Sequence, residues 1–278
     1  LLLRNYLGME TKTIPASWAG LVSDYSQYLL ASGCTPKTVS LRRDWLARFA
    51  RAVDVPPFMV GRTAVVTWSA SQAWAQSTRR SAHQSVKGFY AWARMEGLTD
   101  RVPVIPSVKK SLPAPHPASD AALEACLLSR DWKVRLAARL AVELGLRRGE
   151  VACINTDRDL IQGAGGAALV VHGKGDKTRL VPLTDSLAGE LRKFTGFVFP
   201  GQDGGHVSAA WLGRLVSRAM PDGVTMHALR HRFTTRAYRK THDLVALQKV
   251  LGHASPETTL VYLQLADDSL RRVVEAAA

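Results

Sequence analysis

The chain has 278 residues, 46% of them apolar and 22% charged, enough to bury one large core or two ordinary ones, and this balance excludes a disordered or fibrous chain. No apolar run approaches the roughly 18 residues of a membrane span. A formal charge of +14 and a pI near 10.1 point toward a polyanionic partner, most often nucleic acid. Cys34, Cys126 and Cys153 lie far apart, with neither a C-x-x-C pair nor a disulfide framework, and read as reduced, mostly buried residues of a cytoplasmic protein.

The short run Leu1-Leu2-Leu3 cannot serve as a signal-peptide core, and the chain does not begin with Met. The first helix is expected around Trp18, Leu21, Val22, Tyr25, Tyr28 and Leu29, whose spacing of three and four marks one buried face. Thr35-Pro36 then supplies an N-cap and a proline at the first helical position. The helix it starts carries Leu41, Trp45, Phe49 and Val53 as its apolar stripe, with Arg42, Arg43 and Arg48 largely off it. A later helix, beginning after Ser77-Thr78, sets Arg79, Arg80 and Lys87 ahead of Phe89, Tyr90 and Trp92. Each of these cations alone reads equally well as part of a solvated helix face. As a set on a basic helical domain, Arg42, Arg43, Arg79, Arg80 and Lys87 are candidates for DNA backbone contact.

Five of the thirteen prolines fall between Pro103 and Pro117, so an extended linker is expected there. Charge divides unevenly across it. Residues 1–117 hold 15 Lys/Arg against 6 Asp/Glu, a balance of +9; residues 118–278 hold 22 against 17, a balance of +5. Five of the seven tryptophans also lie on the N-terminal side. The expected division is a helical domain at 12–105, a Pro-rich linker at 106–117 and a second domain at 118–278.

That second part reads as mixed. Asp131 to Leu144 is a periodic helix stopped by Gly145. A β-hairpin is expected from Ala168–His172 and Arg179–Leu183 around the turn Gly173-Lys174-Gly175-Asp176. From Ser208 onward the pattern is helical, with breaks near Pro221-Asp222-Gly223 and at Gly252. The fold class is therefore mainly α with a small antiparallel β-sheet (α+β).

The chemistry-bearing residues lie in this half. His227 and Arg230 stand three apart and share a helix face. Arg147 follows a helix-ending glycine, where a side chain can enter a cleft. Lys174 sits at a hairpin tip, His253 after Leu251-Gly252, and Tyr262 in an apolar helical run. Singly, each has an ordinary structural explanation as a cap, a turn residue or helix packing. Together they supply five nitrogen-based side chains and one phenol. That set suits attack on a phosphodiester, whose non-bridging oxygens gain charge as a nucleophile arrives and need rigid cations around them. Guanidinium forks match such oxygens bidentately and stay charged at any working pH. No clustered carboxylate set of the two-metal type stands out, and no phosphate-binding G-x-x-x-x-G-K-[ST] loop appears, so neither metal nor nucleotide cofactor is expected.

The order and intervals of Leu144-Gly145-Leu146-Arg147-Arg148-Gly149-Glu150, of His172-Gly173-Lys174 through Pro182, of His227-Ala228-Leu229-Arg230, and of Leu251-Gly252-His253 through Tyr262 resemble the tyrosine recombinase (phage integrase) family. Twenty-three residues separate Arg230 from His253, and nine separate His253 from Tyr262. The resemblance covers about residues 119–265 closely and the N-terminal half more loosely. It implies that Tyr262 is the nucleophile, forming a covalent 3′-phosphotyrosine and freeing a 5′-hydroxyl. Arg147 and Arg230 would then clamp the non-bridging oxygens. His227 would act as base, His253 as a phosphate hydrogen-bond donor, and Lys174 as the acid protonating the leaving oxygen. Glu150 matches the family's acidic position, where it orients the first arginine. The implied partners are double-stranded DNA core or attachment sites, a homotetramer assembled on DNA through exchange of the C-terminal helix at Asp267–Ala278, and an accessory directionality factor. The brevity of the segment before the first helix suggests an arm-less, Xer-type layout. A type IB topoisomerase-like or resolvase activity with the same site, and a catalytically inactive DNA-binding protein, are the alternatives. Leu144, where the family often has Thr, and the glycine-rich Gly163–Gly166 depart from the pattern.

Overall fold

The computed structural model describes residues 13–110, 114–173, 177–221 and 223–252. The chain divides into two compact units, Leu1–Ser111 and Leu112–Ala278.

The first unit is helical: α1 (Ala16–Ala31), α2 (Pro36–Val53), a 3-10 turn at Pro57–Met59, α3 (Ala64–Ala70) and α4 (Gln76–Met95). Its start signals act as expected at α2, where the Thr35 hydroxyl accepts from the Thr38 N–H at 3.3 Å and Pro36 opens the helix. An aromatic core follows from the stripes. Trp18 packs edge-on against Phe49 at 5.8 Å between ring centroids, and Phe89 lies 5.5 Å from Trp18. The polar tips are paired, with Trp18 Nε1 donating to the Val55 carbonyl at 2.9 Å and the Tyr90 hydroxyl to that of Pro57 at 2.7 Å.

Three details differ from the pattern. Leu41 is 48% exposed, because the buried face of α2 runs through Val39, Trp45, Leu46, Phe49 and Ala50. Tyr28 is exposed at the edge of α1, stacking at 6.4 Å on buried Tyr25. Helix α4 begins at Gln76, one residue before the Ser77-Thr78 start signal, and has no side-chain cap. The proline-rich stretch also lies against its own unit at the near end. Ile105 packs on the aromatic core, the Pro106 carbonyl lies 2.9 Å from His83 Nδ1, and Arg80 donates to the Val108 carbonyl at 3.2 Å.

The second unit holds α5 (Asp120–Leu127), α6 (Trp132–Leu144), α7 (Arg148–Ala152), α8 (Thr156–Asp159), strands β1 (Leu160–Gly163), β2 (Gly166–His172) and β3 (Thr178–Pro182), then α9 (Asp185–Leu191), α10 (Ala209–Arg218), α11 (Met226–Thr241) and α12 (Leu244–Leu251). The expected class, mainly α with a small antiparallel sheet, is what is observed. Helix α6 is the hub. Leu136, Ala137, Leu140, Ala141 and Leu144 are buried on it, within one cluster that includes Leu169, Val171 and Val181 of the sheet, Leu212 of α10 and Leu229 of α11. Each fully buried leucine contributes on the order of 2 kcal/mol, so the central helix is held mainly by this burial.

The sheet has the order β1-β2-β3, antiparallel throughout. Ala167, Leu169 and Val171 turn inward at alternate positions of β2. The hairpin expected from β2 and β3 pairs Val170 with Leu180 and His172 with Thr178. Strand β1 was not expected. The glycine-rich segment is its two-residue hairpin turn, with Gly163 paired to Gly166 and Gly166 at φ +102°, a conformation that favours glycine. The departure at Gly163–Gly166 is therefore a turn requirement.

No described helix is long and apolar enough to cross a membrane. All three cysteines are free, with Cys126 fully buried and Cys34 and Cys153 partly so.

Candidate active site

Helix α6 ends where its C-cap, Gly145, turns left-handed at φ +66° and its N–H returns to the Leu140 carbonyl. A Cβ at this position would come within 2.5 Å of Phe233 Cδ1 and 3.0 Å of Leu251 Cδ2, so glycine is required both by conformation and by close approach. The chain then buries Leu146 and presents Arg147 as the N-cap of α7. Glu150, in the first turn of α7, accepts the Arg147 backbone N–H on Oε2 at 2.8 Å. This is the carboxylate half of a capping box. An arginine has no oxygen to return that bond; instead Arg147 Nη1 donates to Glu150 Oε1 at 2.7 Å.

On α11, His227 and Arg230 share a face as expected. Arg230 is buried, and its Nη1 donates to the Gly145 carbonyl while Nη2 donates to that of Leu251 at 2.9 Å. The Leu251 carbonyl also accepts Arg147 Nη1 at 3.2 Å. Both candidate phosphate-clamping arginines thus converge on the last carbonyl of α12, where the negative end of the helix dipole favours cations. Gly252 caps that helix at φ +61°.

Glu150 sits among three guanidinium groups. Besides Arg147, Arg179 of β3 donates to it from Nη1 at 3.0 Å and from Nη2 at 2.8 Å, and Arg230 Nη1 lies 3.7 Å away. Burial alone would raise the Glu150 pKa. The bonds from Arg179 and from the Arg147 backbone and side chain outweigh that and hold it below the ordinary carboxylate value.

His227 is exposed, yet crowding around its ring and then the charges of Arg230, Arg147 and Arg148 lower its pKa. It is therefore neutral at physiological pH, the state a proton acceptor needs. Its ring meets that of His231 edge-on at 4.4 Å. His231 is pushed down to about 4, first by burial and then by His227, Arg230 and His116. Above the ordinary value of 6.5 this group is neutral whether the chain is folded or not. As pH falls from 6.5 toward 4, the unfolded chain takes up a proton that the folded chain refuses, so stability declines, by roughly 3 kcal/mol at most for such a group. Replacing His231 with Asn is expected to flatten this acid limb of a melting-temperature profile by about one proton's worth; an unchanged slope between pH 4 and 6.5 would contradict it.

Arg147, Glu150, His227 and Arg230 are thus brought together by α6, α7, α11 and α12. Lys174, His253 and Tyr262, together with the C-terminal helix expected at 267–278, lie outside the described residues. At the ends of β2 and β3 the Gly173 N–H donates to the Lys177 carbonyl at 2.7 Å. Sequence reasoning passed over Arg179, which stands inside a quoted motif, and His231, which directly follows Arg230. It also had no signal for the Gly145 and Leu251 carbonyls, or for that of Val250, which accepts Arg179 Nε at 2.6 Å, since backbone acceptors carry no side-chain signature. Beside the site, buried Asp159 accepts from Arg158 and lies 2.9 Å from His172 Nε2, fixing the end of β2. No group of three or more His, Cys, Asp or Glu side chains among the described residues is placed to hold a metal.

In the first unit the five candidate DNA contacts divide. Arg43 and Lys87 are exposed. Arg42 is half-buried and bonds the Ser85 hydroxyl at 3.3 Å, joining α2 to α4. Arg79 is absorbed in packing, donating to the Ser69 hydroxyl at 2.6 Å and to the Gln72 carbonyl at 2.8 Å. Arg80, His83 and Lys87 line a cleft of about 220 Å³ with Pro106 and Ser107.

The second unit matches the model of the phage integrase family over residues 119–269, just over half of the chain. Tyrosine recombinase XerC of Bradyrhizobium diazoefficiens is 31% identical over 204 residues, covering 62% of this chain and 61% of that protein. The chain thus spans about three fifths of that relative's length. XerC of Methylobacterium nodulans is 30% identical over 282 residues, covering 90% of this chain and 82% of that protein. Among solved structures, the XerH site-specific recombinase bound to its difH substrate superposes with a TM-score of 0.69 at 21% identity, covering 92% of this chain and 84% of that one. A lambda integrase dimer bound to a core site gives 0.69 at 19% identity, covering 88% and 76%. At such identities these two likenesses bear on the fold. With its second unit matched by the family model and a likeness to a XerC protein over 90% of its length, the chain belongs to the phage integrase family.

Proposed function

We propose that this chain is a site-specific DNA recombinase that cuts and rejoins strands through Tyr262. The observation that carries the reading is the convergence of Arg147 and Arg230 on the Leu251 carbonyl, with Glu150 between them. Two guanidinium groups held by fixed acceptors form a preorganised clamp for a phosphate.

In this reaction the Tyr262 oxygen attacks the scissile phosphorus and the bond to the 5′-oxygen breaks. Neutral His227 takes the phenol proton, whose pKa of about 10 otherwise leaves the group a poor nucleophile. Lys174 protonates the departing 5′-oxygen, and His253 donates to a non-bridging oxygen. The phosphotyrosine keeps the bond energy, so a 5′-hydroxyl from a partner strand reverses the attack without ATP, and no step calls for a metal. Paired exchanges between two duplexes would pass through a Holliday junction within a tetramer joined by the C-terminal segment, in a bacterial cytoplasm.

Duplex DNA is the proposed partner, supported by the +14 charge and by the DNA-bound relatives. The basic helical unit, residues 12–105, would bind the core site. Its exposed Arg43 and Lys87 and the Arg80 cleft suit phosphate contact, Arg42 less so, whereas the guanidinium of Arg79 is engaged within the unit.

The test is a nicked suicide substrate, from which the strand end diffuses away after cleavage. The native chain is expected to form a covalent adduct and Tyr262→Phe none. An adduct with Tyr262→Phe, or none with the native chain, would overturn the assignment. Junction formation between two duplexes, set against relaxation of a supercoiled plasmid, separates recombination from topoisomerase action.

A further inference from the structure

We propose that Arg179 is a positioning residue for strand cleavage, one that holds the clamp arginines and the end of α12 in a single rigid frame. The inference rests on the strand-transfer reading above.

Arg179 projects from β3, the strand paired with β2. Its Nη1 and Nη2 donate to the two oxygens of Glu150 at 3.0 and 2.8 Å, and its Nε donates to the Val250 carbonyl at 2.6 Å. One planar group thereby fixes a carboxylate and a helix end together. The carboxylate is the one that holds Arg147, and the next carbonyl of the same helix end, Leu251, accepts both Arg147 and Arg230. The side chain is only 12% exposed, so these donors serve the protein and not the substrate.

The chain makes room for it at one position. Gly252 lies against the guanidinium, and a Cβ there would stand 3.0 Å from Arg179 Nη1, 3.1 Å from Cδ and 3.3 Å from Cζ. The left-handed glycine that ends α12 is thus also the floor on which Arg179 rests, and His253 is the next residue.

The physical consequence lies in how Glu150 divides its attraction. With Arg179 present, both carboxylate oxygens are taken by a bidentate fork and Arg230 remains 3.7 Å away, bonded to the Gly145 and Leu251 carbonyls. Without Arg179, the buried carboxylate keeps Arg147 and turns to Arg230 as its remaining close guanidinium. Arg230 is then drawn off its carbonyl acceptors and away from the phosphate geometry. A lysine keeps the charge but cannot supply the planar fork or the Nε bond. A displacement of about 1 Å at a reacting centre costs on the order of 100-fold in rate.

The experiment measures single-turnover cleavage of the nicked suicide substrate at saturating DNA, using the full chain and its Arg179→Ala and Arg179→Lys variants. Gel-shift affinity and melting temperature are measured alongside. Both variants are expected to cleave about 100-fold more slowly, with DNA affinity within about threefold of native. Millimolar guanidinium is expected to restore much of the rate of Arg179→Ala and none of that of Arg179→Lys, whose ammonium fills the site. Native rates in either variant would overturn the proposal. So would a loss that follows affinity alone, or one that guanidinium does not rescue in a folded Arg179→Ala protein. If both variants lose their melting transition, Arg179 is a folding strut and the positioning role is refuted. A native chain that forms no adduct fails the strand-transfer reading itself, an outcome separate from any of these.

Discussion

Replacing Arg230 with Ala is expected to reduce cleavage by about 1,000-fold while changing DNA affinity by no more than about threefold. The rate loss follows from removing a preorganised cation from the developing charge of the phosphorane-like transition state, a contribution of roughly 3 to 4 kcal/mol. The affinity is largely preserved because duplex binding draws on many phosphate contacts, and one fewer lowers the salt slope by about one. Arg230 is also structural, since its guanidinium bonds the Gly145 and Leu251 carbonyls at the ends of α6 and α12. Hydrogen bonds to a charged group contribute about 1.5 to 3 kcal/mol each, so some loss of melting temperature should accompany the variant. Gel shift, suicide-substrate cleavage and thermal melting on one preparation check all three. A gel-shift loss comparable to the cleavage loss would contradict the assignment of Arg230 to the transition state.

Glu150→Gln is expected to destabilise the second unit by about 3 to 5 kcal/mol, and by roughly 10 °C in melting temperature. Glu150 is buried and receives the Arg147 backbone N–H together with guanidinium donors from Arg147 and Arg179. A glutamine keeps one acceptor and turns an NH2 group toward donors, which leaves buried positive charge unpaired. The penalty should depend on pH. The native carboxylate has its pKa lowered from 4.5 by these partners, so its stabilising contribution is complete above that value. As pH falls below 4.5 toward the lower folded value, the unfolded chain takes up a proton first and the contribution is lost. The gap between native and variant melting temperatures should therefore be widest near neutrality and narrow as pH falls below 4.5. A gap that is constant across this range would show that the effect is one of packing and not of charge.

Much of the architecture was legible in the residues because its signals are local. Thr35-Pro36, Asp131 and Gly145 announce helix ends through capping groups and conformational preference, and the chain obeys them. Leu41 misled because a spacing of four fits more than one helical register. Only packing against α1, α3 and α4 decided that the face through Leu46 and Ala50 would be buried. Strand β1 was hidden because its turn, Gly163 to Gly166, stood out only as a glycine-rich departure from the family pattern until its partner strand was in place.

The candidate site divides in the same way. Arg147, Glu150, His227 and Arg230 were recognisable because their residue types suit phosphate chemistry and their order and intervals resemble the tyrosine recombinase family. Arg179 and the carbonyls of Gly145, Val250 and Leu251 were not. An arginine between Thr178 and Leu180 at the start of a strand looks like any edge cation, and a carbonyl belongs to every residue.

By itself, the sequence determined the family, the fold class, the helix ends and the residue types that phosphate chemistry requires, since these depend on local propensity and on order along the chain. Only the tertiary structure decided which cations are consumed in packing and which also line a cleft. Arg79 and Arg80 illustrate this as neighbours on one helix, the first tied to Ser69 and Gln72, the second lining a cleft. The partners of a guanidinium come from segments distant in sequence, as Arg147 with Leu251 and Arg179 with Glu150 do, and surroundings shift the pKa values: arginine donors lower Glu150 against its burial, while burial and neighbouring cations lower His227 and His231.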